Sequence, residues 1–330
     1  MKLAGLRILV TGGLGYIGSE TARQLTDVGA DVHVIDDCSE GHIEAWDGPW
    51  TRIDLRDRDR FLTFAAGREW DAVFHFAARC YVGESMRDPM KYWGGNIPTL
   101  LHLLEGIHTC PVIFSSSCAT YGLPQSKTID ETHPQNPVNP YGETKLVGET
   151  ILKQRARTGG GEVGILRYFN AAGATLEHGE DHRPETHLIP LAIRAALGQR
   201  GKLSVFGGDY DTRDGSCVRD FVHVSDLARA HILALEWIRA GNGSGEWNLG
   251  SGIGSSVLEV IRAVETVTGK PVPHAVAPRR EGDPPRLVAS AQKAREQLGW
   301  SPQFTSLEAI VESAVQWHER APKGYDSLSY

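Results

Sequence analysis

Tyr141 and Lys145 stand four residues apart in Tyr141-Gly-Glu-Thr-Lys145. On a helix, that spacing sets the phenol and the ammonium on one face. A neighbouring Lys⁺ favours phenolate and so lowers a tyrosine pKa, and a cationic ring close by would lower it further. Phenolate near neutral pH can take a proton from a hydroxyl while hydride leaves the same carbon. In isolation, an exposed helix with an ordinary Tyr and Lys would explain the pair. The triplet Ser115-Ser-Ser117 ends an apolar run some two dozen residues upstream, and a hydroxyl there could hydrogen-bond the same oxygen. Ser117, Tyr141 and Lys145 are the candidate catalytic set.

A second pattern supplies a partner for that chemistry. Ile8-Leu-Val-Thr11 reads as a buried strand, followed at once by Gly12-Gly-Leu-Gly15-Tyr-Ile-Gly18 and a helical stretch. Glycines at G-x-x-G-x-x-G spacing allow a tight turn and a close approach of backbone N–H groups to a pyrophosphate. The helix N-terminus then faces the phosphates with unpaired donors. Asp36 ends the next apolar run, 18 residues past Gly18. A carboxylate there can accept both ribose hydroxyls of an adenosine and would repel a 2′-phosphate, which predicts NAD rather than NADP.

The elements that must hold these residues alternate. Arg7–Thr11, Val32–Asp36, Ala72–Phe76, Val112–Ser116 and Val163–Tyr168 read as short buried strands. Helical patterns run over Ile17–Val28, Asp57–Ala66, Pro89–Glu105 and Tyr141–Arg157, and later over Leu188–Leu197, Ser225–Arg239 and Val257–Thr268. Such alternation predicts an α/β fold, a Rossmann-type doubly wound parallel sheet with ligands at the strands' C-terminal edge. The less regular second half predicts a smaller mixed α/β substrate-binding domain over that edge. We place the NAD-binding domain at 1–170 and the substrate domain mainly at 171–330, with about 215–250 returning to the first.

Composition narrows the class further. The chain has 330 residues, 34 basic and 41 acidic, for a net charge of −7 without a long basic run, which argues against a nucleic-acid partner. Apolar runs are too short for a transmembrane helix, so no membrane partner is expected. Met1–Val10, broken by Arg7, does not read as a signal peptide. The five cysteines, Cys38, Cys80, Cys110, Cys118 and Cys217, show no C-x-x-C spacing. That predicts neither a disulfide framework nor a metal site, and a cytoplasmic location.

Taken together the stretches resemble the UDP-galactose (UDP-glucose) 4-epimerases of the extended short-chain dehydrogenase/reductase superfamily. They are TGGLGYIG, HFAA then VGES, SSSCATYG, NPYGETK, LRYFNAAGA, DGSCVRDFVHVSDLA, NLGSG and APRREGD, in that order. The resemblance implies a tightly held NAD, reduced and reoxidised within each turnover, and a UDP-sugar inverted at C4 through a 4-keto intermediate. It implies Tyr141 as base, Lys145 as modulator and ribose ligand, and Ser117 as substrate partner. Gly12, Gly15, Tyr16, Ile17, Gly18, Asp36 and Asp37 would line the cofactor site. So would Asp54, Leu55, Phe76, Ala77, Ala78 and Ser115, with Asn96 and Tyr168 at the nicotinamide. For Asp54, loop capping is the plainer reading. Asn170, His187, Leu188, Phe206, Asp283 and Leu287 would face the substrate, with Arg219 and Arg280 clamping the diphosphate. A solvated Arg279-Arg280 pair and an Arg219–Asp220 salt bridge are the plainer alternatives. The family also implies a homodimer through Pro89–Glu105 and Tyr141–Arg157, where Leu100, Leu101, Leu103 and Leu104 are more apolar than a solvated face requires.

Two positions depart from the family. Cys80 stands where members often carry Lys, and Leu287 where Tyr or a smaller residue limits the sugar pocket. UDP-pentose and UDP-N-acetylglucosamine therefore stay open beside UDP-glucose. A sugar 4,6-dehydratase would need an acid and a base after the strand, whereas Cys118-Ala119-Thr120 follow Ser117. A non-catalytic cofactor-binding regulator would have no need of the intact Ser117, Tyr141 and Lys145.

Overall fold

Strands and helices alternate through the first half of the chain. The strands are β1 (Arg7–Thr11), β2 (Asp31–Asp36), β3 (Trp50–Arg52), β4 (Ala72–His75), β5 (Val112–Ser117) and β6 (Val163–Tyr168). Among them lie α1 (Tyr16–Asp27), α2 (Arg58–Ala65), α3 (Val82–Arg87), α4 (Pro89–Gly106) and α5 (Pro140–Arg157). This is a computed structural model, and it describes residues 3–280 and 283–328. Met1-Lys2 of the N-terminal stretch and Glu281-Gly282 of APRREGD lie outside the described residues.

The later elements are β7 (Asn170–Ala172), α6 (Leu188–Ala196), β8 (Leu203–Phe206), β9 (Val218–Arg219), β10 (Phe221–His223), α7 (Val224–Trp237) and β11 (Gly245–Leu249). They continue with β12 (Ser255–Ser256), α8 (Val257–Thr268), β13 (His274–Ala277), β14 (Arg286–Leu287), α9 (Gln292–Leu298), α10 (Leu307–Arg320) and β15 (Pro322–Tyr325). β11 pairs with β6. The main sheet is seven-stranded, in the order β11-β6-β5-β4-β1-β2-β3, and parallel throughout. Strand order reverses at β1, which lies between β2 and β4. At such a switch point a crevice opens beyond the strands' C-terminal ends. Smaller sheets, β10-β7, β12-β9-β14 and β13-β8, follow in the second half.

The fold positions the reactive helix by burial and by charge. Leu100, Leu103 and Leu152 of α4 and α5 fill the core over Phe114 and Ile165. The pair Leu100 and Leu103 therefore serves the chain's own interior, and only Leu101 of the four leucines is well exposed, at 47%. That corrects the apolar-face argument for these two residues. Glu149, one turn beyond Lys145, accepts a bidentate pair from buried Arg167 at 2.8 and 2.6 Å, and the Ser116 hydroxyl donates to it at 2.6 Å. Arg167 also donates to Tyr121 Oη at 2.9 Å, which donates to Asn248 at 2.7 Å. Removing one partner would strand a buried charge, so the network fixes the roll of α5 against β5, β6 and β11.

The predicted helices and strands occur within one or two residues of their expected ends, but α3, α9, α10, β3 and the strands from β7 to β15 were not expected. For α10 the signal was present: Ile310, Val311, Ala314, Val315 and Trp317 recur at helical spacing and are buried. Among the described residues no helix is long and apolar enough to cross a membrane.

Candidate active site

A cavity of about 1100 Å³ opens at the C-terminal ends of the main sheet, and every candidate site residue named above lines it. At its dinucleotide end, α1 starts at Tyr16 with Gly15 as N-cap and no side chain capping it, so its first N–H groups face the cavity's mouth. The glycines are sterically required. A Cβ on Gly18 would lie 2.2 Å from the Gly12 carbonyl oxygen, and Gly12, at φ +70°, would bring one 2.5 Å from the Ala77 nitrogen. Asp36 is buried at the end of β2, where its two oxygens accept from Leu14 N at 3.0 Å and Cys38 N at 2.8 Å. Each oxygen keeps acceptor capacity for a ribose hydroxyl. Asp54 accepts from Arg56 through both backbone and guanidinium, so it caps its loop while lining the cavity.

Deeper in, Asn96 braces the loop after β4. Its Oδ1 accepts from Arg79 N at 2.8 Å, and its Nδ2 donates to Arg79 O at 3.2 Å and Thr144 Oγ1 at 2.9 Å. Lys145 is buried, donating from Nζ to the Ser115 carbonyl at 2.7 Å, and Nζ lies 5.9 Å from the centroid of the Tyr141 ring. Burial lowers its pKa to about 8. Tyr141 and Ser117 both line this cavity.

Burial pushes the Tyr141 phenol above its ordinary pKa, the Cys80 sulfur adds to that, and the Ser117 side chain acts the other way. Sequence spacing revealed the lysine but not the desolvation, which opposes ionisation of any phenol taken out of water. Tyr168 is raised by burial too, and its hydroxyl meets His231 Nε2 at 3.1 Å.

At the opposite end, Arg219 is turned to Asp283 at 2.5 Å and to the Val218 and Pro284 carbonyls at 2.9 Å. A diphosphate would have to share it with that carboxylate. The alternative Arg219–Asp220 salt bridge is not made. Asp220 instead accepts from the backbone N–H groups of Ser251, Gly252 and Ala289. Arg280 lays its guanidinium 4.4 Å over the Phe206 ring, while its neighbour Arg279 pairs with Asp209. Leu287 packs against a small apolar cluster that includes Cys118 and Phe169. Asn170, His187 and Leu188 also face this space.

Glu180, His182 and Tyr81 line the cavity without having been foreseen. The first two belong to a visible run, Glu180-Asp-His182-Arg-Pro-Glu185-Thr-His187, passed over because its spacing fits neither a helix face nor a cysteine-based motif.

The sheet order and the glycine turn at its switch point define the class: a dinucleotide-binding α/β enzyme fold. The chain belongs to the NAD dependent epimerase/dehydratase family, whose model matches residues 8–250. It is 47% identical over 328 residues to a UDP-glucose 4-epimerase of Halalkalibacterium halodurans, covering 98% of each chain. A UDP-glucose 4-epimerase from Brucella ovis, solved in complex with NAD, superimposes with TM-score 0.90 at 44% identity, over 94% of this chain and 98% of that one. Another, from Stenotrophomonas maltophila with bound NAD and formylated UDP-arabinopyranose, gives TM-score 0.91 at 36% identity, over 96% and 99%.

The crowding at the turn gives a direct test. Gly18→Ala places a methyl group against the Gly12 carbonyl. The purified variant is expected to keep its far-ultraviolet circular dichroism and lose its bound dinucleotide, read by absorbance and mass after denaturation. Wild-type cofactor content in the variant would contradict this reading of the turn.

Proposed function

We propose that the protein inverts C4 of a UDP-sugar, interconverting UDP-glucose and UDP-galactose, with NAD as a retained cofactor. The observation that carries this is the convergence of Ser117, Tyr141 and Lys145 on the cavity that also holds the glycine turn. The residues fit NAD: an uncapped helix start for the pyrophosphate, glycines no larger residue could replace, and a buried carboxylate for the ribose. Held by these residues, NAD would supply the hydride acceptor for oxidation at C4 and, once reduced, the hydride donor for its return.

The chain's own groups handle the proton. Tyr141 accepts it from the C4 hydroxyl as the carbonyl forms, and Ser117 holds that oxygen in place. Because burial alone disfavours phenolate, nearby positive charge, including the Lys145 ammonium, must supply the opposing field. The 4-keto sugar then turns over within the cavity, and Tyr141 gives the proton back. Arg280, beside Phe206 and, among the described residues, without a carboxylate partner like the Asp283 that holds Arg219, is the better placed of the two clamp arginines. Asp36 leaves no room for a 2′-phosphate charge. Five free cysteines support a cytoplasmic location. A homodimer through the outer faces of α4 and α5 is in keeping with exposed Met90 and Leu101.

Tyr141→Phe keeps the ring and deletes the proton acceptor. Turnover is expected to fall roughly a hundredfold or more, with nucleotide-sugar affinity largely kept; wild-type turnover would show that another group is the base. Sugar choice is tested at Leu287, whose replacement by Tyr adds bulk where a C2 acetamido group would sit. Leu287→Tyr is expected to lower any activity on UDP-N-acetylglucosamine about ten- to two-hundredfold more than on UDP-glucose. Equal losses on both would show that residue 287 is not the gate.

A further inference from the structure

Between β7 and α6 the chain carries Glu180, His182, Glu185 and His187 within eight residues. One ligating atom from each lies within 4.8 Å of the other three. Nδ1 of His187 stands 2.5 Å from Glu180 Oε1 and 2.9 Å from Glu185 Oε1, and Nδ1 of His182 stands 3.2 Å from the same Glu180 oxygen. Two imidazole nitrogens thus converge on one carboxylate oxygen. The Glu185 side chain is only 2% exposed, and its Oε2 is buried without a hydrogen-bond partner among the described residues. A carboxylate oxygen taken out of water and left unpaired is costly, and a cation beside it would remove that cost.

Imidazole and carboxylate together suit zinc-class ions rather than magnesium or calcium, which prefer all-oxygen shells. Bonds of about 2.0–2.2 Å in a tetrahedron set the ligating atoms roughly 3.3 Å apart. The present separations straddle that value, so side-chain shifts of about an ångström would close the shell. We propose that Glu180, His182, Glu185 and His187 form a site for a divalent transition metal of the zinc class. His187, set among substrate-facing residues by resemblance, becomes a ligand in this assignment.

The ion's place indicates its work. The His182 ring meets Tyr16 of the dinucleotide turn edge-on at 6.4 Å and Tyr81 at 5.6 Å. A metal here would brace the 180–187 loop, whose His182 ring packs on the cofactor half of the cavity, a positioning role. It is independent of which sugar is turned over.

The test uses untagged full-length protein with its dinucleotide retained, freed of metal by a chelator and titrated with zinc chloride against a chromophoric zinc indicator. Wild type, His182→Asn and Glu185→Gln are compared, with cofactor content and circular dichroism reporting the fold of each. The expected result is one zinc per chain in the wild type, with affinity about tenfold or more weaker in each variant. No one-to-one binding in the wild type, or equal affinity in a folded variant, would overturn the proposal.

Discussion

An ammonium group held out of water beside a phenol is the constraint around which the rest of this structure is organised. Lys145 is 3% exposed and Tyr141 9%. Burial acts on both in the direction that disfavours charge, lowering the lysine pKa and raising that of the tyrosine. The Ser115 carbonyl, at the end of β5, gives Lys145 its hydrogen bond, so the helix and the strand cannot slide past one another without stranding a buried donor. The Arg167–Glu149 pair fixes the same helix one turn further on. Asn96 ties it to the loop after β4 through Thr144. Reactivity and scaffold rigidity therefore come from the same contacts.

The dinucleotide half obeys a different restriction, steric rather than electrostatic. Backbone at Gly12 and Gly18 approaches its surroundings more closely than any Cβ permits. That crowding brings the start of α1 up to the sheet's switch point, where its free N–H groups can meet a pyrophosphate. Both restrictions converge on one cavity because the parallel sheet delivers every strand's C-terminal end to the same edge.

Much of this was legible in the sequence because it is local. The glycine turn, the strand ending at Asp36, the Tyr141–Lys145 spacing and the buried runs of the sheet each occupy a few consecutive residues. What the sequence did not disclose depends on packing. Leu100 and Leu103 read as surplus apolar surface until the core over Phe114 claimed them. For Tyr141, spacing reveals a nearby charge but not the loss of water around the phenol, which acts against ionisation. Arg219, expected to clamp a diphosphate, is held by Asp283, 64 residues away, a partner that only the fold brings near. The Glu180–His187 run became visible as a cluster only once the loop's path drew its side chains together.

In the proposed reaction the dinucleotide stays bound while the sugar is oxidised, turned and reduced. Purified protein incubated with UDP-galactose and no added nucleotide cofactor, followed by proton NMR of the anomeric signals, tests it most directly. The expected result is steady conversion to UDP-glucose until the two sugars reach equilibrium. No conversion, or conversion only while NADP is continually supplied, would contradict it.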